Sequence, residues 1–212
     1  MENKKYRIAI FASGEGSNAE AIVSHLAGHG AIEVALMVCN KEKAGVYARM
    51  KKWGIPCHYI AKTEWQPGST GQQVLELMRN ACINKIVLAG FLAYIPETIV
   101  RTYEGRIINI HPSLLPKYGG KGMWGYHVHE AVIANRETVS GITIHHVNEK
   151  LDNGSIIFQA QCEVFPDDTP ESLATRIHKL EHEHYPRVVE QMALSNNRSN
   201  YTATSTIVTE LA

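Results

Sequence analysis

The chain has no surplus of either charge. Its 212 residues carry 21 Lys and Arg against 21 Asp and Glu, which argues against the basic face that nucleic acid or an anionic membrane demands. Cysteine is scarce, and Cys39, Cys57, Cys82 and Cys162 share no C-x-x-C spacing. That sets aside a zinc ribbon, a thioredoxin-like redox pair and a disulfide framework; lying mostly in or beside apolar runs, the four are read as reduced core thiols. Long apolar segments are missing too. None approaches the ~20 residues of a membrane-spanning helix, and the apolar run of MENKKYRIAIFA is too short for a signal peptide. The expectation is a soluble cytoplasmic protein. Repeats and interdomain linkers are also lacking, so the reading is one domain over 1–194, with a core that needs no disulfides. The Asn-, Ser- and Thr-rich tail, 195–212, is expected to be loosely ordered.

What is present is an alternation. Buried-strand runs at 6–12, 32–38, 57–60, 85–88 and 107–110 are separated by helical patterns at 18–26, 46–53, 72–82 and 96–103. That rhythm predicts a doubly wound, mostly parallel α/β sheet with flanking helices. It then changes: a short helix at 128–134 precedes two strand runs, 141–147 and 155–164, split by the turn-rich LDNG. These predict a mixed extension of the same sheet. Thr169 followed by Pro170 and Glu171 signals the start of a long helix to about residue 192, with a kink expected at Pro186.

The first strand feeds FASGEGSNAEAI, 11–22, in which Gly14, Gly16 and Ala19 make a relaxed G-x-G-x-x-A. Glycines between a strand and a helix let the backbone turn tightly and approach an anion, and the helix N-terminus adds free N–H groups and partial positive charge. A dinucleotide site makes a further demand, an acidic residue closing the second strand to hold the ribose hydroxyls. Here that strand closes with Val38, Cys39, Asn40 and Lys41, and Glu42 comes late between two lysines. The NAD reading weakens, and a phosphate monoester held by the loop amides, Ser17 and Asn18 becomes the better one.

The fifth strand ends in Asn109-Ile110-His111. Residues two apart in a strand share a face, so Asn109 and His111 project together at the carboxyl edge where open α/β sheets bind ligands. An amide and an imidazole both donate to a developing oxyanion, and His also moves protons. Asp152, in the LDNG turn, supplies a carboxylate to orient His111 and raise its pKa, although Asp-Asn-Gly is also ordinary turn chemistry.

Four segments occur in order: Gly14-Glu15-Gly16-Ser17-Asn18, Val87-Leu88-Ala89-Gly90-Phe91, NIHPSLLP at 109–116, and Leu151-Asp152-Asn153-Gly154. Together, over residues 7–192, they resemble the phosphoribosylglycinamide formyltransferases, the folate-dependent transformylases of purine synthesis. The resemblance implies a Rossmann-like formyltransferase fold. It implies a reaction in which the substrate amine attacks the formyl carbon of 10-formyltetrahydrofolate, through a tetrahedral oxyanion, with Asn109, His111 and Asp152 as the catalytic set. It assigns Gly14, Glu15, Gly16, Ser17, Asn18, Leu92 and Glu181 to 5′-phosphoribosylglycinamide. Leu88, Ala93, Tyr94, Ile95, Val147, Asn148 and Leu151 fall to the folate, and His145 to a supporting role. The folate is a co-substrate; no bound cofactor or metal is implied, and the protein is expected as a monomer or homodimer. Leu115–Pro116 is expected to be cis.

The chain departs from the family pattern in places. Ala93 stands where many members have a folate-facing Arg, and the loop 63–70 lacks an Arg that reaches the substrate phosphate, leaving Lys62 or Lys121 as substitutes. Tyr118 to Gly125, YGGKGMWG, replaces a proline-rich continuation and reads as a mobile lid. His178 and His182, four apart on one helix face, have a spacing that can bind zinc, but Lys179, Glu181 and Glu183 surround them without completing a site. His127 and His129 flank the lid and are read as surface residues. The rival readings are a formyltetrahydrofolate hydrolase, the methionyl-tRNA or sugar-amine formyltransferases, and a folate- or nucleotide-binding module without turnover. The hydrolase expects an additional N-terminal regulatory domain, the tRNA enzyme a basic C-terminal one, and the sugar enzymes lack the G-x-G-S-N loop.

Overall fold

The structure, a computed structural model, describes residues 5–195 and 207–209. In chain order the elements are β1 (Tyr6–Ala12), α1 (Ser17–His25), β2 (Ile32–Cys39), α2 (Val46–Lys52), β3 (Cys57–Tyr59), a 3₁₀ turn (Lys62–Trp65), α3 (Gln72–Asn80) and β4 (Lys85–Leu88). There follow α4 (Glu97–Thr102), β5 (Ile107–His111), α5 (Tyr126–Ala134), β6 (Val139–His146), β7 (Ile156–Glu163), α6 (Pro170–Leu194) and β8 (Ile207–Thr209). One sheet runs β3-β2-β1-β4-β5-β6-β7-β8. Strands β1 to β5 are parallel, β5–β6 and β6–β7 antiparallel, and β8 lies parallel to β7 with Gln159 opposite Ile207. The expected α/β sheet with a mixed extension is therefore the observed one. The tail expectation falls on 196–206 and 210–212, outside the described residues, while 207–209 pair as a strand.

The apolar runs of the strands bury both faces, as βαβ strands must. Ile8, Ile10 and Ala12 face α1, α2 and α6, whereas Ala9 and Phe11 face α3, α4 and the 3₁₀ turn. Residue α6 carries the largest share of the first face, with Leu173, Ile177, Leu180, Tyr185, Val188, Val189 and Met192 buried. Its start is fixed by a capping box: the Thr169 hydroxyl accepts from Ser172 N–H at 3.3 Å, and the Ser172 hydroxyl accepts from Thr169 N–H at 2.9 Å. Helix α6 runs continuously past Pro186 to Leu194.

Other boundaries differ from the periodic pattern by a residue or two, each for a local reason. Helix α3 stops at Asn80 because Cys82 turns into the left-handed region at φ 52°, and α4 begins only after Pro96, its N-cap. Of the thiols, all free, Cys39 and Cys162 are buried as expected, Cys57 is half-buried and Cys82 is exposed, which corrects the reading of four core thiols.

The second core cluster ends at Ile107 of β5. The next positions on the same face of that strand are Asn109 and His111, so the sheet changes there from apolar packing to chemistry. Tyr185 holds the ends of β4 and β5 at this boundary. Fully buried, its hydroxyl donates to the Leu88 carbonyl at 2.9 Å. Tyr185→Phe should lower stability by about 1–2 kcal/mol, seen as a shifted urea midpoint with an unchanged slope. An unshifted midpoint would reduce Tyr185 to packing alone.

Candidate active site

In this strand order the chain leaves β1 toward β2 on one side and returns to β4 on the other, so the crevice beyond the carboxyl ends of β1 and β4 is the topological switch point where such sheets bind ligands. A cavity of about 540 Å³ opens there. Its floor is Asn109, Ile110 and His111, one end is Gly14 to Asn18 with His178 and Glu181, and the other is Leu88 to Ile95 with Val147 to Asp152.

The antiparallel pairing of β5 with β6 sets His145 directly opposite Asn109. The His145 Nδ1 lies 2.8 Å from the His146 carbonyl. A carbonyl only accepts, so Nδ1 carries the proton and Nε2 is left as an acceptor. The Asn109 amide then donates to that Nε2 at 3.3 Å, which orients its oxygen and nitrogen and leaves a second N–H facing the cavity. Burial holds the His145 pKa below the usual histidine range, consistent with this neutral tautomer.

His111, 4 % exposed, places Nε2 at 2.7 Å from the Tyr118 carbonyl, so that nitrogen donates. Its Nδ1 faces Asp152 Oδ2 at 3.7 Å, and Asp152 Oδ1 lies 3.7 Å from His145 Nε2. Both gaps exceed a direct hydrogen bond. Asp152 is held in turn by the Gly120 N–H at 2.9 Å. Tyr118 and Asp152, the two partners of His111, both adopt left-handed backbone conformations, at φ 56° and 50°. Such conformations persist only where surrounding structure over-determines them, and they cluster at functional sites.

The loop between His111 and Tyr118 is fixed by a buried hydroxyl. Thr143 Oγ1 of β6 donates to the Ser113 carbonyl at 2.6 Å and accepts from Leu115 N–H and Gln159 Nε2, each at 2.9 Å. The Leu115–Pro116 peptide is cis, as expected.

At the glycine end, Gly16 is the N-cap of α1 with φ 75°, and a side chain there would collide with Val46. Asn18 Nδ2 donates to Glu181 Oε2 at 2.8 Å. Burial pushes the Glu181 carboxyl above the usual carboxylate range, while Asn18 and the neighbouring His178 pull it back. Glu15 turns its carboxylate against Gly45 at the start of α2, and its carbonyl accepts from Arg49 Nε at 2.7 Å.

A family model described as formyl transferase matches residues 6–189. The chain belongs to the formyl transferase family. It is 40% identical over 194 residues to the phosphoribosylglycinamide formyltransferase of Bacillus subtilis (strain 168), covering 91% of this chain and 97% of that protein. It is 38% identical over 192 residues to the chloroplastic phosphoribosylglycinamide formyltransferase of Arabidopsis thaliana, covering 89% of this chain but 65% of the longer plant protein, under two thirds. The crystal structure of the phosphoribosylglycinamide formyltransferase of Anaplasma phagocytophilum superposes with a TM-score of 0.84 at 29% identity, over 98% of this chain and all of that one.

Against this formyl transferase frame, every residue the sequence singled out for the catalytic set and for both ligands lines the one cavity, and His145 does so as well. Neither Lys62 nor Lys121 is among the lining residues. His178 and His182 stack their rings 6.3 Å apart, and among the described residues no group of three metal-binding side chains converges. His127 is exposed, paired with Glu130 at 3.1 Å, but His129 is not a surface residue: it is 3 % exposed, lines the cavity, and its Nδ1 has no partner. Residue 128 and residue 132 of α5 are buried with it, a helical spacing that the sequence carried unread. Burial, reinforced by His178 and His111, lowers its pKa to about 4.

The sequence reading also passed over Ser13. Its hydroxyl donates to Asn40 Oδ1 at 2.7 Å and accepts from Leu92 N–H at 2.8 Å, while its own N–H donates to the Gly90 carbonyl at 3.0 Å. It thus ties the glycine loop to the loop after β4 across the switch point. The signal available was a small hydroxyl directly before the glycines.

Ser13→Ala leaves the Leu92 N–H and the Asn40 oxygen without their buried partner. It should cost about 1–3 kcal/mol of stability and lower kcat/KM about tenfold; a normal kcat/KM in the folded variant would remove Ser13 from site positioning. His129 makes a pH prediction. Below about pH 6.5 the unfolded chain takes up a proton that the folded one refuses until about pH 4. The unfolded state then binds more protons, so stability falls as pH drops across that window. His129→Gln should flatten this part of the urea-midpoint profile, leaving the smaller slopes of His145, His146, His182 and His184, whose pKa values burial also lowers. An identical profile would show that His129 is not the group responsible.

Proposed function

We propose that this chain transfers the formyl group of 10-formyltetrahydrofolate to the amine of 5′-phosphoribosylglycinamide. The observation that carries the reading is the convergence of Asn109, His111 and Asp152 on the floor of one cavity, between a glycine loop at a helix N-terminus and an apolar slot. A phosphate suits the first, since α1 offers unpaired N–H groups and the partial charge of the helix. Glu181, beside Asn18, suits the ribose hydroxyls. A flat pterin suits the slot of Leu88, Ala93, Tyr94, Ile95, Val147, Asn148 and Leu151.

The chemistry follows from the hydrogen-bond directions. The glycinamide nitrogen attacks the formyl carbon, and the carbonyl π electrons move onto oxygen. The free N–H of Asn109 and a protonated His111 donate to that oxyanion. The Nε2–H of His111 is taken by the Tyr118 carbonyl, so the Nδ1–H, 3.7 Å from Asp152, is the one that meets the oxyanion. Asp152 takes the amine proton and returns it to the folate N10, which leaves as the neutral amine when the tetrahedral carbon collapses. All of this is proton transfer and electrostatics, and the protein supplies both. A single formyltransferase domain, a cytoplasmic setting, a monomeric or homodimeric state, and the absence of nucleic-acid or membrane partners belong to the same proposal. Among the described residues no helix is long and apolar enough to cross a membrane.

The deciding assay follows formyl loss from 10-formyltetrahydrofolate with and without the ribonucleotide. Loss only with it supports the transferase; loss in its absence supports the hydrolase; no loss in either sinks both. Asn109→Ala should reduce kcat about 10²–10³-fold and His111→Ala about 10²–10⁴-fold, with urea midpoints retained. Near-normal rates would remove either residue from the mechanism. Ser17→Asp should raise the KM for the ribonucleotide, and an unchanged KM would return the loop to a purely structural role.

A further inference from the structure

The two ligands proposed above are both anions, yet among the described residues lining the cavity Lys150 is the only lysine or arginine. We propose that Lys150 is a specificity-determining residue that binds the carboxylate tail of the folate co-substrate, an inference that rests on the folate reading of this cavity.

Position excludes the other anion. The phosphate seat follows β1, whereas Lys150 lies in the connection after β6. With the order β1-β4-β5-β6, three strand spacings separate the two, about 14 Å, more than a lysine side chain spans. What lies beside Lys150 is the mouth of the apolar slot. Leu151, next to Lys150 in the chain, is 63 % exposed, and Tyr94 also lines the cavity. An aromatic linker followed by carboxylates suits such a mouth, apolar groups first and a cation beyond them. Ala93 stands between Leu92 and Tyr94, so that loop offers no cation of its own.

The ammonium is also unclaimed by its neighbours. Glu149, the adjacent carboxylate, is taken by Arg101 of α4 at 2.7 Å, and Arg101 also holds Glu97 at 3.2 Å. Asp152 points the other way, to Gly120, His111 and His145. The backbone of Lys150 is held by the Asn148 side chain, which accepts its N–H at 2.9 Å. The main chain is thereby fixed at the mouth while the side chain, exposed, makes no ion pair among the described residues. The loop's two carboxylates are thus engaged, Glu149 by Arg101 and Asp152 by Gly120, and the lysine is presented.

The test compares a 10-formyl-dideazafolate bearing a free glutamate with its dimethyl ester, by calorimetric titration of the whole chain at low salt. The wild type should bind the acid about fivefold more tightly, as one partly exposed ion pair allows, and 0.5 M salt should shrink the difference. Lys150→Met should bind acid and ester equally, and Lys150→Glu should prefer the ester. In turnover, the change should fall on the folate KM far more than on kcat. A Lys150→Met variant that keeps the preference for the acid, or a wild type that shows none, would overturn the inference while leaving the folate reading intact. Binding of neither compound by the wild type would overturn that reading, and this inference with it.

Discussion

The reversal of strand direction between β5 and β6 is the constraint from which the site follows. Parallel β5 delivers Asn109 and His111 to one face at the carboxyl edge. Antiparallel β6 then sets His145 across from Asn109. Because the His145 Nδ1 donates to the carbonyl of the next residue, its Nε2 can only accept, and the Asn109 amide is turned so that nitrogen, not oxygen, meets it. The remaining N–H of Asn109 faces the cavity as a donor.

That turn and the loop after His111 both carry backbone strain, and both spend it on the same imidazole. Tyr118 and Asp152 are left-handed, a conformation that costs a non-glycine residue on the order of 1 kcal/mol or more. Each supplies one acceptor to His111, and Gly120 joins the two segments by donating to Asp152. The strain is sustained because the PSLLP segment before Tyr118 cannot yield: Thr143 and Gln159 fix its carbonyls and amides from the sheet. The stiff half of the loop therefore holds the geometry around His111. The glycine-rich half, with Gly120, Gly122 and Gly125 at positive φ, carries Met123 and Trp124 along the cavity wall.

Much of this was legible in the sequence, because strand periodicity and motif order are local signals. The β-α alternation gave the parallel half, the LDNG turn the mixed extension, and the spacing of Asn109 and His111 their common face. Thr169 and Pro170 marked the start of α6. What was not legible depended on contacts distant in sequence. The missing acid at the end of β2 argued against NAD, but its replacement had a purpose that only the fold reveals: Asn40 accepts from Ser13, which positions Leu92. His129 was read as surface because it flanks the lid, and its burial against α6 is tertiary. Cys82 was read as core because it adjoins an apolar run, yet a left-handed helix terminus turns it outward. The 3₁₀ turn has no periodic signature at all; Trp65 anchors it by packing on Phe11 and Phe91, with ring centroids 5.7 and 4.7 Å away.

The same accounting explains how the proposed phosphate seat works without an arginine. A dianion next to a buried carboxylate is repelled, and Glu181 lies within hydrogen-bond reach of Asn18 in that very loop. Burial pushes the Glu181 carboxyl above the usual carboxylate range, while Asn18 and His178 pull it back. The donors are backbone N–H groups at the N-terminus of α1, which cannot be lost by a side-chain substitution and are aimed by Gly16, where no side chain fits beside Val46. His178, one helical turn from Glu181 on α6, is the nearest basic group lining that end. The seat thus favours an anion through dipoles and a histidine rather than a fixed guanidinium.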